Sequence, residues 1–336
     1  MIWLTWRQFR VQVITGAALL VLVLAAVLIS WGEVSGLASS SGYAGCAGTA
    51  CAAAAETFLD ALQETASRLV YVGTIAALFL VPALVGVFWG APTVARELES
   101  GTYRMIFSQS VSRGRWLLAK LGLGAAAVVA GVGLLSLLLT RWAHLIDQAA
   151  GNRITPLIFP GRGLVPVGYA AAGFVIGVTL GLVLRRTVVA MAVTLMVVAG
   201  LQVAAPLVVR PWLAQPISTA AALNVDDLDG IGMNVETGEM HLRVQSSING
   251  AWVLQNTVLG ADGKSFVGPA DLTKCGPRAG FETCQEWLKS QNLQVRMTYV
   301  PGAKFWTVQW REFGLLVALT TLLSLLALWW IRRKLV

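Results

Sequence analysis

"VARELESGTYRMIFSQSVSRGRW", residues 94–116, sets four arginines and two glutamates between two long apolar stretches, residues 69–92 and 116–140. A helix needs about 20 apolar residues to cross the hydrocarbon core of a bilayer. Both flanking stretches are long enough, so the charged segment reads as a loop between two membrane spans. Working outward, four more stretches qualify, near 11–31, 164–184, 187–209 and 312–331.

The composition agrees with that reading. Only 12% of the 336 residues are charged and 56% are hydrophobic, with a mean hydropathy of +0.70, whereas soluble domains carry about a quarter charged residues. The fold class is an α-helical integral membrane protein with six transmembrane helices. The first span is too long for a secretory signal, and Trp31-Gly32-Glu33 offers no small-residue cleavage pattern.

Orientation follows from the basic residues of the short loops. Arg7 and Arg10, then Arg96, Arg104, Arg113, Arg115 and Lys120, then Arg185 and Arg186, and finally Arg332, Arg333 and Lys334 fall on one side if six spans alternate. The positive-inside rule makes that side the cytoplasm, so the expectation is a multi-pass protein of the cell membrane with both termini cytoplasmic. The net charge of +8 then describes a face attracted to anionic membrane lipid, with no nucleic-acid partner implied.

The four cysteines form two near pairs, Cys46 with Cys51 and Cys275 with Cys284, both in loops placed outside. An oxidising compartment favours disulfides there, and proximity favours the two local pairings. A thiolate metal site is the weaker alternative, because the spacings are not CxxC and the two histidines, His144 and His241, sit in different loops. No metal site is expected.

Residues 1–10, "MIWLTWRQFR", place Trp3, Trp6 and Phe9 at helical spacing and read as an amphipathic interfacial helix. Residues 11–209 hold spans one to five, and 312–336 hold the sixth span and a basic tail. Between them, 210–311 form a small mixed α/β extracytoplasmic domain before the last helix. Its alternating stretches "MHLRVQSSI" and "LQVRMTYV", its "DG" and "PG" turns and its helical "FETCQEWLKSQN" carry that assignment. Gly86 and Gly90 in the second span, and Gly173, Gly177 and Gly181 in the fourth, repeat every four residues. Such faces let helices approach closely, here first of all within the chain.

Catalytic machinery is missing. There is no HExxH, no GxSxG and no pair of histidines on one helix. "GADGKS", 260–265, resembles the end of a phosphate-binding loop, but Val258 stands where the first glycine belongs, and the segment reads as a turn. Asp226, Asp227 and Asp229 miss the calcium-loop spacing. Between their ends the spans hold no Asp, Glu, Lys, Arg or His, which argues against an ion-coupled carrier. Gln202 is the most polar side chain within a span and reads as a helix–helix hydrogen bond. The chain is expected to be no enzyme and to hold no cofactor of its own.

The opening segment decides what remains. With "RELESGT", Arg96–Thr102, followed by "SQSVSRGRWLLAK", Ser108–Lys120, it resembles the coupling segment of ATP-binding cassette (ABC) transporter permeases of the type 2 exporter family. The amphipathic N-terminus, six spans and outer loop before the last span fit as well, although the outer loop is larger than is common in that family. The resemblance implies a permease subunit that pairs with a second permease copy or a homologous permease, over two soluble ATPase subunits that bind the ATP. Arg96, Glu97, Glu99, Thr102 and Arg104 would be the ATPase-coupling residues, displayed to the cytosol. The apolar spans suit a hydrophobic or amphiphilic cargo. A second hypothesis from another class is a membrane-anchored receptor or assembly factor acting through the 210–311 ectodomain.

Overall fold

The computed structural model describes residues 2–47, 50–107, 112–225, 228–233, 239–244, 248, 250–268, 272–275 and 281–334. The chain divides into two compact units, Met1–Leu213 with Phe305–Val336, and Ala214–Lys304.

The first unit is helical. In chain order it contains α1 (Ile2–Ser40), α2 (Ala50–Gln63), α3 (Ala66–Leu84), α4 (Ala91–Glu99), α5 (Tyr103–Phe107), α6 (Arg113–Trp142), α7 (His144–Ala149), α8 (Val165–Leu184), α9 (Thr187–Ala204) and α10 (Arg210–Ala214). After the second unit it closes with α13 (Phe305–Lys334). Among the described residues, six helical stretches are long and apolar enough to cross a membrane: Ile14–Ser40, Ala66–Glu99, Arg113–Trp142, Val165–Leu184, Thr187–Ala214 and Gly302–Lys334. The six expected spans are all present, but every one except the fourth runs further than its apolar core.

The second span reaches Glu99 because a π-helical turn, Val85–Gly90, joins α3 to α4 without a break. Pro82 lies just before that turn and cannot donate an N–H to the helix ladder, the usual origin of a local change of helical pitch. The fifth span passes through a similar turn, Ala205–Val209, which contains Pro206. At the N-terminus, α1 is continuous from Ile2, so the interfacial helix expected over 1–10 is not a separate element. No Gly or Pro interrupts residues 1–15, and nothing in the local chemistry stops the helix there.

Helix α8 forms the centre of this unit and is buried over most of its length, whereas α1 leaves most of its side chains over Ile14–Ser40 outside the core. The glycine faces foreseen in the sequence meet each other. A Cβ added at Gly181 would lie 2.6 Å from the Ala91 carbonyl oxygen, and one at Gly86 would lie 2.6 Å from that of Gly173. Additions at Gly173, Gly177 and Gly90 would fall on the carbonyls of Pro82, Gly86 and Phe174. Both stripes therefore serve packing of the second span on the fourth. Gln202 also ties helices together, donating from Nε2 to the Phe79 carbonyl at 2.7 Å.

The second unit contains β1 (Ile217–Ala222), β2 (Leu228–Met233), β3 (Met240–Val244), β4 (Ala251–Leu259), α11 (Leu272–Cys275), α12 (Phe281–Ser290) and β5 (Gln294–Pro301). The antiparallel sheet has the order β1-β5-β4, and β2 pairs with β3 as a separate hairpin. Met240, Val258, Leu288, Leu293 and Val295 form its core with the Cys275–Cys284 disulfide. The mixed α/β character matches expectation, while the boundaries move inward from 210–311 to Ala214–Lys304. Asp262-Gly263 turns the chain, with Gly263 at φ 75°, but Asp229-Gly230 lies inside β2, at a register shift. Of the acidic cluster, Asp226 and Asp227 lie outside the described residues.

Candidate functional site: the basic end of the helical unit

Three contacts gather the basic loops at one end of the first unit. Glu99 Oε2 accepts the Thr187 N–H at 2.9 Å, joining the end of α4 to the start of α9. Arg185 Nη2 donates to the Lys334 carbonyl at 3.2 Å, joining the α8–α9 turn to the end of α13. The Arg332 guanidinium covers Gly114 at the start of α6, where an added Cβ would stand 3.3 Å from Nε. Arg96, Arg104, Arg113, Arg115, Arg185, Arg186, Arg332, Arg333 and Lys334 are all exposed there. The sequence grouped these loops by charge alone, and the fold brings them together.

The amphipathic pattern of α4 explains its seat. Val94, Ala95 and Leu98 are buried, with Ala91 and Ala95 against Ala190 of α9, while Arg96 and Glu99 face outward. Gly101 takes a left-handed conformation, φ 73°, which ends the helix and allows α5 to resume two residues later. Thr102 Oγ1 shares a 3.0 Å hydrogen bond with Ser100 Oγ across this bend. Beyond it, Tyr103, Phe107 and Trp116 stack edge to face at 5.8 and 5.7 Å, fixing α5 against α6. The Arg104 guanidinium, bonded to the Tyr103 hydroxyl, holds that phenol below its ordinary titration range.

Of the five residues singled out from the sequence, Arg96, Glu99, Thr102 and Arg104 are exposed. Glu97 is not displayed as expected. Its Oε1 receives the Lys120 ammonium at 2.6 Å, and Lys120, only 3% exposed, also donates to the Thr93 carbonyl at 2.8 Å. The Trp116 ring covers the same ammonium at 4.7 Å. A lysine that deep in a helical bundle requires a counter-charge, and Glu97 supplies it.

Buried charge recurs at the opposite end, where the sequence placed none. Arg162, fully buried, donates to Asp147 at 2.7 and 3.3 Å, and the Tyr71 hydroxyl donates to the same carboxylate at 2.7 Å. Arg210 donates to Glu312 at 2.9 and 3.1 Å, with Tyr169 donating at 2.9 Å. Gln309 accepts the N–H groups of Leu164 and Val165 and donates to the carbonyls of Phe159 and Arg162. These side chains stitch α3, α7, α8, α10 and α13 together. The expectation that the spans hold no ionisable residue is thus corrected for Lys120, Arg210 and Glu312. The pairs neutralise each charge, which is why the fifth and sixth spans run on into polar sequence. One signal was legible: Arg210 and Glu312 stand at facing ends of consecutive spans with opposite sign.

Other candidate chemistry resolves into structure. Among the described residues no group of three or more His, Cys, Asp or Glu could hold a metal. Cys46–Cys51 and Cys275–Cys284 are disulfides, as the sequence indicated. At 260–265, Gly260 N–H bonds to the Lys264 carbonyl and Gly263 N–H to that of Gly260, both at 2.9 Å, so this is a turn closed by its own backbone hydrogen bonds.

A family model described as ABC-2 membrane transporter related matches residues 17–210, more than half of the chain. No curated protein and no solved structure matches it.

Proposed function

The chain belongs to the ABC-2 membrane transporter related family, and from that premise we propose that it is the transmembrane permease subunit of an ABC exporter. A separate soluble ATPase docks at the basic end and binds the ATP. A second permease, a copy of this chain or a relative, completes the pathway. The basic end faces the cytoplasm of the cell membrane, with both termini on that side.

The observation that carries this reading is the anchoring of α4. Arg96 and Glu99 of α4, with Thr102 and Arg104 just beyond its end, are exposed, while Glu97 ties the helix to α6 through Lys120 and Glu99 ties its last turn to α9 through Thr187. It is also one continuous helix with the second span, which lies glycine against glycine on α8. A push on that exposed edge moves the second span together with the third, fourth and fifth, as a coupling lever must. In this scheme Glu97 is a positioning residue, and the exposed four make the contact. Backbone close approach transmits displacement because packed interiors deform little.

The membrane-facing surfaces are hydrocarbon, including Leu195, Met196, Leu207 and Trp212 on the fifth span and Leu322 and Leu325 on the sixth. A hydrophobic or amphiphilic cargo suits such a pathway. Copurification of the full chain with an ATP-hydrolysing subunit, and stimulation of hydrolysis by lipid-soluble cargo in reconstituted membranes, tests the proposal. The second reading, a receptor or assembly factor, is favoured by the independent core and disulfide of Ala214–Lys304. Under that reading, deletion of 214–304 abolishes function and no ATPase copurifies.

A further inference from the structure

At the end of the helical unit away from the basic cluster, α1 and the α6–α7 corner enclose an open cleft of about 410 Å³. Trp31 and Val34 of α1 and Leu145 of α7 give it an apolar wall. Its polar side is made of donors. Arg141 and His144 line it, both exposed, and neither makes a hydrogen bond or ion pair with a described residue. Trp142, only 2% exposed, lines it too and forms its floor.

No carboxylate among the described residues pairs with Arg141 or His144. Asp147 is committed to Arg162 and Tyr71, and Glu33 accepts the Ser67 hydroxyl. The Ser35 hydroxyl donates to the Gly32 carbonyl at 3.0 Å. An occupant of the cleft must bring negative charge and acceptors on one side and hydrocarbon on the other. The position supplies the same description: Arg141 and Trp142 close the span Arg113–Trp142, and Trp31, Val34 and Ser35 lie in the last turns of Ile14–Ser40, and tryptophan and cationic side chains at span ends meet lipid headgroups.

We propose that this cleft binds an anionic phospholipid. The phosphate lies between Arg141 and His144, and an acyl chain runs over Trp31, Val34 and Leu145. Guanidinium–phosphate hydrogen bonds are among the strongest available to a side chain. The site is independent of the ATPase proposal, since it needs neither nucleotide nor a second permease.

Native mass spectrometry of the purified full chain tests it, titrating phosphatidylglycerol, phosphatidylcholine and inorganic phosphate. Wild-type protein is expected to retain phosphatidylglycerol in preference to phosphatidylcholine. R141Q/H144Q is expected to bind phosphatidylglycerol about tenfold more weakly, the loss of roughly one charge-assisted contact at 1.4 kcal/mol per tenfold. Trp31→Ala removes the exposed ring of the apolar wall, and a several-fold weakening is expected even if the double variant does not fold. Arg68→Gln, an exposed arginine outside the cleft, should bind as wild type does. Undiminished binding by both cleft variants overturns the proposal. So does equal retention of phosphatidylcholine, or displacement of the lipid by millimolar inorganic phosphate, which would make the site one for free anions.

Discussion

The two ends of the helical unit use the same device in opposite settings. Each buries a cation against a carboxylate, Lys120 with Glu97 at one end and Arg162 with Asp147 and Arg210 with Glu312 at the other. At the far end the pairs are closed off: side-chain exposure is 3% or less throughout, and tyrosines and Gln309 take up further hydrogen bonds. At the basic end Glu97 keeps 13% side-chain exposure, and exposed arginines surround the pair. The far end is built as a fixed frame, and the basic end as a held but accessible edge on which another protein can act.

The largest effect should come from opening the frame. Removing one member of a buried ion pair leaves a charge without solvation or partner, costing about 3–5 kcal/mol, whereas replacing both by apolar side chains is often neutral. Glu312→Ala should therefore lower the detergent unfolding temperature sharply, and Arg210→Met with Glu312→Leu should recover most of the loss. Equal stability of Glu312→Ala and wild type would mean that the far end is no frame.

A smaller loss is expected at the basic end. Glu97→Gln keeps the shape and a hydrogen bond but removes the counter-charge of Lys120, and a bond to a charged group contributes about 1.5–3 kcal/mol. The same variant should weaken the response of transport to the ATPase, because α4 is less firmly tied to α6. If its unfolding temperature falls as far as that of Glu312→Ala, the contrast between the ends disappears. Gly177→Ala probes the helix contact that links the ends: its new Cβ meets the Gly86 carbonyl, and overpacking costs about 1–3 kcal/mol. Unfolding in denaturant measures it against Gly200→Ala, whose Cβ meets nothing within 4 Å.

How much of this was legible in the sequence depends on the distance over which each feature is decided. The spans were, because about 20 apolar residues in a row suffice, and so were the local cysteine pairs and the matched glycine stripes. Span ends were not. Arg210 and Glu312 look like loop residues until they are found together, and they are 102 positions apart. The strands of the second unit follow from alternation, but β1 against β5 closes a separation such as Ile217 with Tyr299, which no local pattern fixes. The coupling segment was legible in composition and only partly in orientation. Glu97 and Glu99 are two residues apart, and at 3.6 residues per turn they point to nearly opposite sides of one helix. Displaying both was geometrically unavailable, and Lys120, counted as a loop charge, decided which one turned inward. A reversal of Glu97 to Lys would accordingly place two cations together in the bundle and disturb folding as well as docking.

The exposed edge gives the cleaner experiment. Arg96→Glu with Arg104→Glu touches no buried pair, so abundance and unfolding temperature should match wild type, and Arg113, Arg115, Arg185 and Arg186 still mark that end as basic. Like charges forced together across an interface cost several kcal/mol. The decisive measurement is the amount of ATP-hydrolysing subunit that copurifies with this double variant, relative to wild type, from the same membranes. The proposed coupling site predicts a loss of at least tenfold together with lost transport. Full copurification and transport by a normally folded variant would contradict it, leaving the segment as a topology signal and α4 as an ordinary extension of the second span.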